Sequence, residues 1–208
     1  MTHSEFVESV RAANNTALSR LGSSKSLYAD TMGEMDIEEV LTAAATAEHH
    51  AAETYEAWAE SADGDVAAAF AETAAEEREH YETVVGELDA HDPGEVPAIQ
   101  SYLRGLDEDI ERLGGFVGRT LAAEKSKEQM TGFFVGKADP QTASLFRGMG
   151  EDLDAQLERA LALLESHCGD DEDCWARAEE AASGAIQTAY GEYTERLESM
   201  GVNPKPVC

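Results

Sequence analysis

Glu48, Glu77 and His80 are of the types, and at the spacing, that bind metal ions from inside a helical bundle. Glu48 interrupts the apolar stripe of residues 36–61, whose other stripe positions are Ile37, Val40, Leu41, Ala44, Ala51, Tyr55 and Trp58. These fall at the i, i+3, i+4, i+7 spacing of an amphipathic helix. A second stripe, over 65–91, carries Val66, Phe70, Thr73, Ala74, Tyr81, Val84 and Leu88, with Glu77 and His80 one turn apart on the same face. A carboxylate turned into an apolar core costs several kcal/mol unless it is paired or bound to a metal. A Glu-x-x-His on one inward face with a Glu from the neighbouring helix is how bundles hold pairs of metal ions. Carboxylate and imidazole donors suit iron or manganese, and two ions bridged by carboxylates can share a peroxide or oxygen.

Those residues need long helices to position them. Asp63-Gly64-Asp65 makes a tight connection, so the two site-bearing helices return antiparallel. His91-Asp92-Pro93-Gly94 stops the second, and residues 92–106 are long enough to cross to the far end of the molecule. A second hairpin follows, 107–136 and 140–166, broken at Lys137-Ala138-Asp139-Pro140. Its third-helix stripe, Ile110, Leu113, Val117, Leu121, Thr131 and Phe134, holds Glu124, with Glu128 one turn later. The fourth, Phe146, Leu153, Leu157, Leu161 and Leu164, holds no carboxylate and is flanked by Glu151 and Asp154. A short helix over 4–21, a Gly-Ser-Ser-Lys-Ser linker, a fifth long helix over 175–200 and an irregular tail complete the chain. Two hairpins joined by one crossover predict an all-α, ferritin-like four-helix bundle over 31–168. An N-terminal part, 1–30, and a C-terminal helix and tail, 169–208, flank it.

Composition narrows the function classes. Forty-three acidic against fifteen basic residues give a formal charge of -28. No basic face is left to meet nucleic-acid phosphates or an anionic membrane. The acids are dispersed along every helix, as in a cytoplasmic protein of a high-salt cell whose charge is screened by its solvent. No apolar run is long enough to cross a bilayer, and the N-terminus has no signal-peptide pattern. Cys168 and Cys174 are expected to border a helix–helix turn as a reduced pair, the alternative being a metal site with His167. Cys208 is expected to be an exposed thiol. His49 and His50 lie off the stripe and read as surface residues.

Glu48, with Tyr55 seven residues on, and the run Phe70-Ala-Glu-Thr-Ala-Ala-Glu-Glu-Arg-Glu-His80 resemble the first hairpin of the rubrerythrin family, over about residues 44–90. The likeness is to a haloarchaeal member without a rubredoxin domain. It implies that Glu48, Glu77 and His80 hold one half of a di-iron centre, with manganese as the other metal to consider. Glu124 then stands as the third-helix carboxylate, with Glu128 beside it, and Glu151 and Asp154 are the nearest substitutes for the missing fourth-helix Glu-x-x-His. That departure predicts a weak or empty second metal position. The resemblance further implies a non-haem iron oxidoreductase acting on peroxide or oxygen, or ferroxidase-like iron handling. Tyr55 would hydrogen-bond a ligand in the site, an unidentified donor would supply electrons, and the chain would form a homodimer. The alternative is a non-catalytic helical stress or interaction protein with a degenerate site.

Overall fold

The computed structural model describes residues 1–205, and within them every regular element is helical. The long helices are α4 (Ile37–Ser61), α5 (Gly64–Val85), α7 (Asp109–Gly136), α8 (Pro140–Cys168) and α9 (Glu172–Ser199). Shorter ones are α1 (His3–Ala13), α2 (Asn15–Leu21), α3 (Ser24–Asp30) and α6 (Ala98–Arg104). α4 and α5 form one antiparallel hairpin and α7 and α8 the other, with α5 against α8 and α9 laid along α7. The predicted all-α bundle is therefore present, and the 92–106 crossover carries α6.

Local chemistry sets the helix ends. Asp36 caps α4 by accepting from Glu39 N, and Asp139 caps α8 by accepting from Thr142 N with Pro140 in the first turn. Three boundaries differ from the sequence reading, the first being that the helix expected over 4–21 breaks at Asn14 into α1 and α2. The segment expected as a linker contains α3, a seven-residue helix whose Leu27 and Ala29 are buried. Its Gly-Ser-Ser lead-in hides it from periodicity, and tertiary burial holds a helix too short to stand alone. The second helix stops at Val85 rather than 91, where Gly86 begins a tighter turn that still brings Leu88 against the core.

The core has three apolar clusters: a small one of Leu21, Ala29, Tyr193 and Leu197 that joins α9 to α2 and α3, and two main ones with a polar layer between them. The larger joins Phe6, Tyr55, Phe70, Phe116, Leu161 and Trp175, so α1 and α9 share it with the bundle. The smaller contains Val40, Val84, Met130, Phe134 and Phe146. On α4 the clusters resume at Ala45 and Ala51, on α5 at Ala74 and Val84, and on α7 at Leu121 and Met130. The candidate residues lie in those gaps. Cys168 and Cys174 are disulfide-bonded at the α8–α9 turn, in place of the expected reduced pair. Cys208 lies outside the described residues.

Candidate metal centre

Four long helices turn polar side chains into the layer between the clusters. Glu48 comes from α4, Glu77 and His80 from α5, Arg119 and Lys127 from α7, and Gln156 from α8; all are at least 95% buried. Glu48, Glu77 and His80 present donor atoms within 4.8 Å of one another. His80 Nδ1 is 3.9 Å from Glu48 Oε2 and 4.0 Å from Glu77 Oε2. Its other nitrogen, Nε2, donates to Asp152 Oδ2 at 3.0 Å. A carboxylate on the far nitrogen is the arrangement that orients a metal-binding imidazole. Two buried atoms, Glu48 Oε2 and His80 Nδ1, have no hydrogen-bond partner. As a ligand set for a single ion, this half of the layer fits.

The other half does not supply ligands. Arg119 grips Glu77 with both arms, Nη1 on Oε1 at 2.7 Å and Nη2 on Oε2 at 2.8 Å. Gln156 Nε2 adds a bond to Glu77 Oε1 at 2.9 Å. Lys127 Nζ donates to Glu48 Oε1, and Arg119 Nη2 lies 3.7 Å from Glu48 Oε2. Two buried carboxylates thus face two buried cations, and the layer is neutral without a metal when His80 is uncharged.

The electrostatics follow the contacts. Burial pushes the Glu48 carboxyl up, against the pull of Lys127. Burial alone would raise Glu77 as well, but the Arg119 guanidinium, together with the neighbouring Glu48 and His80 side chains, outweighs it and holds that carboxyl well below the ordinary range. Burial works against the Arg119 charge, and Glu77 more than compensates.

The remaining expected ligands lie elsewhere. Glu124 points away from the layer to Arg11, 3.3 Å distant, and burial raises its carboxyl. Glu128 is exposed and pairs with Lys125 at 2.8 Å. Glu151 and Asp154 are exposed on α8. The structure therefore does not bring these four to Glu48, Glu77 and His80. The apolar stripes expected on α7 and α8 are buried, but each helix buries a wider face than its stripe, and the side chains that face turns into the layer are Lys127 and Gln156. On α7 the buried line runs Leu113, Phe116, Thr120, Lys127, Met130, Phe134, and on α8 it runs Met149, Leu153, Gln156, Ala160. A stripe drawn through polar positions would have found Lys127 and Gln156; selecting for apolar residues and carboxylates passes over both. Asp152, exposed itself, is reached one turn before Gln156 on the same side.

Tyr55 is fully buried in an aromatic group with Trp58, Phe70 and Phe116, its ring 4.9 Å from that of Phe116. The Arg119 guanidinium carbon stands 5.9 Å from its ring centre, and its hydroxyl has no hydrogen-bond partner. Burial pushes the phenol well above its ordinary range, so it stays protonated. His50, expected at the surface, is buried: its Nε2 lies 3.3 Å from Pro93 O and its Nδ1 3.3 Å from Glu53. His49, Glu53 and His50 form a second cluster of donor atoms, which Arg104 enters through Glu53 at 3.0 Å.

A family model described as Rubrerythrin matches residues 39–105. The match covers α4, α5 and the crossover, so it contains Glu48, Glu77 and His80 and stops before Arg119 and Lys127. No curated protein and no solved structure matches the chain.

Proposed function

We propose that this protein is a rubrerythrin-like helical scaffold in which two internal cations replace the metal pair. Its carboxylate layer then holds the bundle together and does not carry out peroxide or oxygen chemistry. The observation that carries this reading is the pairing of Glu48 with Lys127 and of Glu77 with Arg119. Unit charges 4 Å apart at an effective dielectric of 20 interact by about 4 kcal/mol, and a divalent ion doubles that. An ion on Glu48 Oε2 and Glu77 Oε2 would be a close neighbour of the Arg119 guanidinium. A repulsion of about 8 kcal/mol corresponds to roughly six orders of magnitude in Kd. A second metal is opposed further, because the α7 and α8 positions facing the layer are Lys127 and Gln156 rather than acids.

One observation favours a second reading, a single-metal site. Glu48 Oε2 and His80 Nδ1 are buried without partners, and Asp152 orients the ring. Anaerobic reconstitution with ferrous iron or manganese, followed by metal analysis after desalting, separates the two. The scaffold reading expects no retained metal. One ion per chain, lost in His80→Ala, supports the single-metal reading, and two ions per chain contradict both.

A further inference from the structure

Away from the ion layer, α4 turns His49, His50 and Glu53 toward Tyr81 and the crossover, each with a donor atom within 4.8 Å of the others. His49 Nε2 lies 3.4 Å from Glu53 Oε1, and His50 Nδ1 lies 3.3 Å from Glu53 Oε2. Donors set tetrahedrally at about 2.0–2.1 Å around a zinc ion stand roughly 3.3 Å apart. Ordinary hydrogen bonds have similar lengths, so the protons decide. Two neighbours fix the His50 proton. Nε2 is 3.3 Å from the Pro93 carbonyl, which can only accept, and Nδ1 is 3.4 Å from Arg104 Nη2, which can only donate. Nδ1 is therefore bare and aimed at a carboxylate, and two facing acceptors need a cation between them. An imidazole whose other N–H is held by a backbone carbonyl is also the form that ligates metals. His49 Nδ1 has no partner in either tautomer, so the His49 proton can sit there and leave Nε2 bare.

Arg104 Nη2 supplies that cation, 3.0 Å from Glu53 Oε2. It is held differently from Arg119. The Arg119 side chain is 5% exposed and grips Glu77 with both arms, whereas that of Arg104 is 33% exposed and reaches Glu53 with one nitrogen. Arg104 Nε can stay on Thr54 Oγ1 at 3.0 Å while Nη2 turns to solvent. The His50 carbonyl that Nη2 leaves still accepts from Thr54 Oγ1 at 2.8 Å. Glu53 is 43% exposed, so an ion can enter from water. From the bare His50 Nδ1 and the displaceable Arg104, we infer that His49, His50 and Glu53 form a site for one borderline divalent transition metal, zinc, nickel or copper, with Arg104 as its stand-in. Imidazole donors suit those ions, and manganese and ferrous iron stand lower in the affinity order. The site shares no ligand with Glu48, Glu77 and His80 and is independent of whether the ion layer holds a metal.

The test uses the full chain, freed of metal, in high salt to screen loose binding to its acidic surface. Zinc is titrated by calorimetry, while proton–nitrogen correlation spectra follow the ring nitrogens of the six histidines. The expected result is one saturable ion that shifts the His49 and His50 ring nitrogens and is retained in His80→Ala. His50→Ala is expected to weaken zinc binding by about tenfold or more, the loss of one of three ligands. Glu53→Gln, at an exposed side chain, is expected to do the same and serves should His50→Ala not fold. Arg104→Gln is expected to tighten zinc binding by about threefold or more, because the competing charge is gone. No saturable zinc, ring shifts at His80 in place of His49 and His50, or an Arg104→Gln variant whose affinity is unchanged or weaker would overturn the proposal.

Discussion

Lys127 and Arg119 decide how the buried acids are read. Breaking a buried ion pair by removing one partner costs about 3–5 kcal/mol, because the other charge is left in the core. Lys127→Met is therefore expected to lower stability by about that amount in denaturant melts. Replacing both partners with apolar residues, Glu48→Leu with Lys127→Met, is expected to recover most of the loss. A double variant no more stable than the single one would show that the pair is not what holds this layer. Asp30 gives a prediction with a pH sign. Burial pushes its carboxyl up to about 6, with Arg196 opposing and Glu192 adding to the rise. A carboxyl raised in the fold contributes stability that is complete below its ordinary value, about 3.9, and lost as pH rises through about 6. Asp30→Asn should thus melt higher than the parent at pH 7.5 and lose that advantage near pH 4. Its side chain keeps about a third of its surface in solvent, so a small gain is expected. A gain that is larger at pH 4 than at pH 7.5 would reverse the sign.

The helices were largely legible from the spacing of apolar residues, because α4, α5, α7, α8 and α9 are long enough for many turns to agree. What spacing did not fix was rotation. A stripe of Leu and Val leaves an ambiguity over which polar neighbour turns inward: on α7 it is Lys127 rather than Glu124, and on α8 it is Gln156, with Glu151 and Asp154 exposed beside the stripe. The first hairpin escaped it because Glu77 and His80 lie on one line with Phe70, Thr73 and Val84. The approach of α9 to α7 was hidden for another reason, since it depends on residues without side chains. A Cβ at Gly118 would lie 2.2 Å from the Ala182 carbonyl oxygen, and one at Gly114 the same distance from that of Ala178. Gly118→Ala must push α9 away and is expected to cost about 1–3 kcal/mol or more. Gly132, also within α7, meets nothing within 4 Å. Gly132→Ala is expected to stabilise by about 0.5–1 kcal/mol through helix propensity alone. Equal melting shifts of one sign for the two variants would contradict this account of the α7–α9 contact.

At the scale of the molecule, charge is the dominant fact. Forty-three acids on 208 residues leave a formal charge of -28, while in the buried layer Glu48 and Glu77 are paired with Lys127 and Arg119. The self-repulsion is therefore at the surface, where salt screens it. Melting temperature is expected to rise steadily across a chloride series from dilute to molar; a flat series would mean that surface pairs already compensate the charge. Among the described residues, no helix is long and apolar enough to cross a membrane. The central claim is that Lys127 and Arg119 occupy the electrostatic role of metal ions. Anomalous diffraction at the manganese edge, from crystals grown with excess manganese, tests it most directly. The account predicts no peak among Glu48, Glu77 and His80, with Lys127 still on Glu48 and Arg119 still on Glu77. A strong peak there, with Lys127 swung away from Glu48, would contradict it.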